Sequence, residues 1–184
     1  MKAGDFVNFL NIFANNQVSL VDSMAQEIML TNEASQAYGL SLSQQEAKET
    51  IIARENTLKE YDRVELDTEI LNKLVLAFCS SPYIQQFNYM DTIIELQELF
   101  HYIKNEVDDS IGDDALIETL SDLFNHKCHG DLELLQGRVT EKIIRQYRFG
   151  DEEESEEYDD DSDSENDPYW QYLEENWEDK LWNL

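Results

Sequence analysis

The side chains best suited to chemistry in this 184-residue chain gather at His126-Lys127-Cys128-His129, with His101 the one other histidine and Cys79 the one other thiol. His126, Cys128 and His129 could offer imidazole and thiolate ligands to a zinc ion, which takes four such donors in a tetrahedral array. Their spacing matches no structural zinc pattern, and the fourth ligand would have to come from elsewhere. The second chemistry on offer is a nucleophile beside a base, Cys128 with His129. Adjacent residues on one helical turn point in different directions, so this pair makes a poor dyad. The bland alternative is a helix C-terminus, where histidine and lysine suit the last carbonyls and Gly130 ends the helix. Asp108-Asp109 and Asp113-Asp114 read as solvated caps in an exposed turn. No glycine-rich phosphate loop, zincin helix or nucleophile elbow occurs. The sequence therefore predicts no cofactor, and an enzyme or metal protein built around Cys128 and His129 ranks third among the functional readings.

A different kind of chemistry, recognition, is written at the C-terminal end. Trp170, Leu173, Trp177, Leu181 and Leu184 follow one another at spacings of three and four, and Glu175, Glu178 and Asp179 lie off that stripe. Asp167 suits an N-cap and Pro168 the first helical position, so residues 168–184 are expected to form an amphipathic helix. All three tryptophans lie in it. Tryptophan dominates protein interfaces, and a stripe of this kind docks in an apolar groove. The partner-binding residues expected are Trp170, Leu173, Trp177 and Leu181, seated on another protein or on the chain's own helical domain.

Before it comes a segment of another character. From Asp151 to Asp167, 12 of 17 residues are acidic. Such a run cannot bury enough apolar surface to offset its ordering entropy, so residues 150–167 are expected to be a disordered linker. Asp159 to Glu165 carries the carboxylates of a calcium loop but lacks its glycine and its bidentate glutamate. Ser155, Ser162 and Ser164 stand in a context that acidophilic kinases read. The formal net charge is −28, with a pI near 4.1. Phosphate backbones and anionic membranes are both recognised through clustered Lys and Arg, so neither nucleic acid nor a membrane surface is an expected partner. A basic protein is, and an acidic decoy for a nucleic-acid-binding protein is the second functional reading. Two cysteines without framework spacing fit reduced thiols in a cytoplasm. No long apolar run predicts a signal peptide or a membrane span.

These features need elements to position them. Gly and Pro are scarce, six and two, and the apolar residues recur at helical spacing almost throughout. Phe6, Leu10 and Phe13 mark an opening helix, and Val21, Met24, Ala25 and Ile28 a second run from Val18 to Tyr38, stopped at Gly39. Ser43-Gln44-Gln45-Glu46 is a capping box opening a helix to about Tyr61. Another starts at Asp67, buries Ile70, Leu71, Leu74, Val75 and Phe78, and ends before Pro82. The longest stripe, Tyr89, Ile93, Leu96, Phe100, Ile103 and Val107, predicts the central helix. Shorter ones follow from Gly112-Asp113 through Phe124, from Leu132 to Leu135, and from Val139 to Tyr147. The fold class is thus all-α, an orthogonal bundle of six to eight helices over residues 1–149, followed by the disordered acidic tail and the short terminal helix.

Several short segments also carry a likeness. Thr31-Asn32-Glu33, Tyr38-Gly39-Leu40, Arg63-Val64-Glu65, Ala77-Phe78-Cys79, Ser81-Pro82-Tyr83, Leu96-Gln97-Glu98-Leu99-Phe100, Lys104-Asn105-Glu106 and Cys128-His129-Gly130 resemble an uncharacterised family of small proteins from anaerobic Gram-positive bacteria. The resemblance covers about residues 31–137. It implies a bacterial cytoplasmic protein and carries over no functional residue. The first functional reading therefore rests on the residues alone: a protein-binding or regulatory module.

Overall fold

A computed structural model describes residues 20–149, and every element in it is helical. The expectations for Phe6 to Phe13, for the acidic linker and for Trp170, Leu173, Trp177 and Leu181 lie outside the described residues. The first helix, α1, covers 20–29. The run expected to continue to Tyr38 is instead divided after it into α2 (Asn32–Ser35) and a 3₁₀ turn (Gln36–Tyr38). Side-chain bonding to the backbone redirects the chain there. Thr31 Oγ1 donates to the Ile28 carbonyl, and Asn32 both donates to and accepts from the Leu42 backbone. Such local bonds compete with helix propagation. Gly39 then takes the left-handed conformation expected of a stop, with φ 78°.

Helix α3 (Gln44–Glu60) begins on the predicted box, Ser43 accepting from the Glu46 amide and Glu46 accepting in return from the Ser43 amide. Helix α4 (Glu69–Phe78) starts two residues after Asp67, whose carboxylate accepts from the Glu69 amide. Helix α5 (Tyr89–Glu106) carries the long stripe, and all six of its residues, Val107 included, are at most 4% exposed. It packs on α3, on α4 and on α8 (Thr140–Phe149). Between them stand α6 (Asp113–Asp122) and α7 (Leu132–Leu134). After α6 the helix widens into a π turn at Leu123–Lys127. It closes with Cys128 N–H donating to Leu123 and Gly130 N–H to Phe124. Gly137 interrupts the second such turn, Leu135–Val139, with ψ −114°.

Helices α3 and α5 run in the same direction. Gln86 holds both Ser41 backbone groups at their start, Arg54 and His101 meet at Glu65 midway, and Arg63 pairs with Asp109 at their end. Helix α4 returns and α6 returns beside it, so these two are also co-directional, tied by Lys73 to Asp114 and by Ser121 to the Ala77 carbonyl. The aromatic part of the core closes where Phe78 meets Phe124 edge-on at 5.5 Å and Tyr83 meets the same ring at 6.4 Å. Among the described residues, no helix is long and apolar enough to cross a membrane.

Candidate docking groove and the ion cluster behind it

The apolar face of α3 contains one charged residue. Ala47, Ile51, Arg54 and Leu58 share the buried face, and the Arg54 side chain is only 1% exposed. Its guanidinium donates to Glu55 Oε1 at 2.7 Å, to Glu65 Oε2 at 2.9 Å and to the Asp67 carbonyl. A buried cation persists only when paired and hydrogen-bonded in this way. Glu65 is drawn inward from the loop between α3 and α4, while its neighbours Val64 and Leu66 face solvent, at 83% and 89% exposed. Burial raises the Glu65 carboxyl above the ordinary range, and Arg54 pulls it partly back.

The same seam holds His101, whose Nε2 lies 3.8 Å from Glu65 Oε1. Burial, with Arg63 and Arg54 nearby, pushes its imidazole down to about 4, so at neutral pH the ring is uncharged. One turn earlier on α5, Gln97 is fully buried. Towards the end of α5, Lys104 is 7% exposed in its side chain and donates to the Ile111 carbonyl at 2.6 Å. It also meets Asp109 at 3.2 Å and Asp113 at 2.8 Å. Arg63 closes on the other oxygen of Asp109 at 2.7 Å. Asp108 and Asp109 take left-handed backbone with φ 49° and 58°, a conformation unfavourable for non-glycine residues. The acid pairs are exposed, as expected, and Asp113 and Asp114 stand in the first turn of α6, but three of the four also make ion pairs. Asp109 joins α5 to the loop after α3, and Asp113 ties the first turn of α6 to α5.

Asp114, next along, points the other way, to Lys73 of α4 at 2.7 Å. Lys73 also takes Glu69 at 2.8 Å. With Ser121 bonded to Ala77 at the far end, α4 and α6 are clasped at two places, and a groove of about 500 Å³ lies along them. Leu76, Ala77 and Ile117 give it apolar lining, and Leu76 is 49% exposed. Asp114, Glu118 and Asp122 line it from α6 at four-residue spacing, with His126 beyond them. A second cleft, about 300 Å³, lies outside the ion cluster and is lined by Glu55, Leu58, Lys59 and residues 62–65.

The side chains of His126, Cys128 and His129 go to different surroundings. Cys128 is 3% exposed and burial, with Asp131 nearby, pushes its thiol up to about 11. His129 turns to the Tyr83 hydroxyl, 3.1 Å from Nδ1. His126 is exposed and faces Asp122, 3.1 Å from its carboxylate. Among the described residues, no group of three or more His, Cys, Asp or Glu is arranged to hold a metal ion. The helix ends here as its sequence suggested, with His126 and Lys127 in its last turn and His129 and Gly130 in left-handed φ.

Motif reasoning passed over the ion cluster and the groove. The signal for the first was present, since Arg54 interrupts the Ala47-Ile51-Leu58 face. Gln97, His101 and Lys104 likewise stand beside the α5 stripe at spacings of four and three. Leu76 stands off the buried face of α4, which Ile70, Leu71, Leu74, Val75 and Phe78 form, so its helical position already places it towards the outside. No curated protein and no solved structure matches the chain. A protein-family profile does match residues 27–153, well over half of the sequence and inclusive of every residue in the cluster and the groove. The chain therefore belongs to that family, described as a family of unknown function (DUF6323).

Proposed function

We propose that the protein is a protein-binding module that seats a helix of its partner in the groove between α4 and α6. The observation that carries this is the preformed groove itself. It is clasped by Lys73–Asp114 and Ser121–Ala77 and leaves Leu76 half-exposed between the clasps. An open groove between two helices with an apolar floor is a common receptor for an amphipathic helix. Trp170, Leu173, Trp177 and Leu181 supply a second apolar element offered to the partner, and a bacterial cytoplasm is the setting that the family likeness implies.

The test is a photo-cross-linking residue placed at position 76 of the full chain in the producing cell, with the same group at Ile52 as control. Ile52 is matched in exposure at 50% and sits on α3. A discrete adduct from position 76 alone, surviving added salt, is the expected result. Equal labelling from both positions would refute the groove as the contact surface. Binding that disappears with salt and ignores position 76 would assign the protein to the acidic-decoy class instead.

A further inference from the structure

We infer that the helix this groove accepts is a basic amphipathic one, an inference that rests on the docking reading above and adds the chemistry of the partner. Asp114, Glu118 and Asp122 are four residues apart, so their carboxylates stack along one side of α6. Against these three acids the lining carries one lysine, Lys73, which pairs with Asp114, and His126, which faces Asp122 at 3.1 Å. Lys73 is itself held between Asp114 and Glu69, which adds one more acid beside the groove. Glu118 is exposed midway along the row. The floor of Leu76, Ala77 and Ile117 asks for apolar side chains at helical spacing. The α6 rail asks for Lys or Arg on the flank next to them.

Charge also ranks the other occupants. The chain's own residues 168–184 carry an apolar stripe but four acids and one lysine, 1 − 4 = −3. Set against the α6 rail, those acids meet like charge, which costs affinity and defines the wrong partner. A basic helix gains at both ranges. The field of a protein with net charge −28 draws it in, and the rail then fixes its rotation about its own axis. The long-range part is screened within about 8 Å at physiological ionic strength, so the local part is what a point substitution reads.

The experiment uses the full chain and three fluorescein-labelled 17-residue peptides, read by anisotropy at physiological salt. One is a designed helix with a leucine stripe flanked by lysine, the second has glutamate in place of each lysine, and the third is residues 168–184. The lysine peptide is expected to bind at least about tenfold more tightly than either acidic one. Glu118→Lys should weaken it by about tenfold, whereas Glu49→Lys, the same charge change on α3, should alter it less than about twofold. Leu76→Asp should remove binding. Equal weakening by Glu118→Lys and Glu49→Lys would show general attraction to an acidic protein and overturn the inference. So would a glutamate peptide or a 168–184 peptide that binds as tightly, while leaving the docking reading in place if Leu76→Asp still abolishes it. Failure of all three peptides to respond to Leu76→Asp would overturn the docking reading itself.

Discussion

Replacing Arg54 tests whether the buried cluster holds the α3–α5 seam. Arg54→Met keeps an unbranched apolar side chain of similar length but removes the cation. Glu65, with 22% of its side chain exposed, would then face a neutral His101 with no counter-charge. Breaking a buried pair by removing one partner typically costs about 3–5 kcal/mol, and the partial exposure of Glu65 places this case near the lower end, about 3. Glu65→Leu should cost less, about 2 kcal/mol, because Arg54 keeps Glu55 and the Asp67 carbonyl. The double replacement leaves no orphaned charge, so its cost should fall well short of the sum, with a coupling of about 2 kcal/mol. Urea unfolding followed by far-UV circular dichroism reads this. Tryptophan emission is unsuitable because all three tryptophans lie beyond residue 169. With a slope of about 1.5 kcal/mol/M, Arg54→Met should lower the midpoint by about 2 M. A coupling under about 0.5 kcal/mol would place the pair among solvated surface bridges and refute the reasoning.

His101 makes stability depend on acid. Its folded-state value, about 4, lies below the ordinary 6.5, so the unfolded chain binds the proton first. The stabilisation is full above pH 6.5 and is lost as pH falls towards 4, on the order of 3 kcal/mol for a ring buried this fully. Glu65 acts in the opposite sense, since its raised value lets the folded state take a proton more readily as pH falls. His101→Phe should therefore flatten the acid limb of stability against pH, and an unchanged limb would dismiss the assignment. Gly130→Ala and Gly39→Ala form a second contrast. Both positions have left-handed φ, 83° and 78°, but a Cβ at 130 would lie 2.3 Å from Tyr83 Cβ, whereas nothing lies within 4 Å of one at 39. Expected losses are about 3 kcal/mol or more at 130 and about 1 at 39, and equal losses by thermal unfolding would refute the packing argument.

Helix identity was legible in this chain wherever apolar residues kept their period and a cap marked the start, as at Ser43-Glu46 and along Tyr89 to Val107. Boundaries failed where side chains bonded to the backbone. Thr31 and Asn32 broke a run that periodicity alone would have carried to Tyr38. The acids of the 108–114 turn are exposed as composition assigned them, but their pairing with Arg63, Lys104 and Lys73 depends on tertiary approach and had no local signal. Period alone placed Leu76 off the buried face of α4, but which helix would lie beside it could not be read locally, because that depends on the tertiary approach of α6 and its clasp on α4.

That clasp connects the ion cluster to the groove. Helix α6 begins with two adjacent aspartates that reach in opposite directions, Asp113 to Lys104 in the interior and Asp114 to Lys73 at the surface. Lys104 is fixed in turn by Asp109 and by the Ile111 carbonyl, and Asp109 by Arg63. Leu116, Ile117 and Leu120 seat α6 by apolar packing, charge pairs tie its first turn to α4 and α5, and Ser121 bonds the Ala77 carbonyl at the far end. A cluster of buried charge contributes little net stability when compared with apolar replacements. Here its pairs join the start of α6 to α5, beside the helix face on which Asp114, Glu118 and Asp122 follow one another at four-residue spacing.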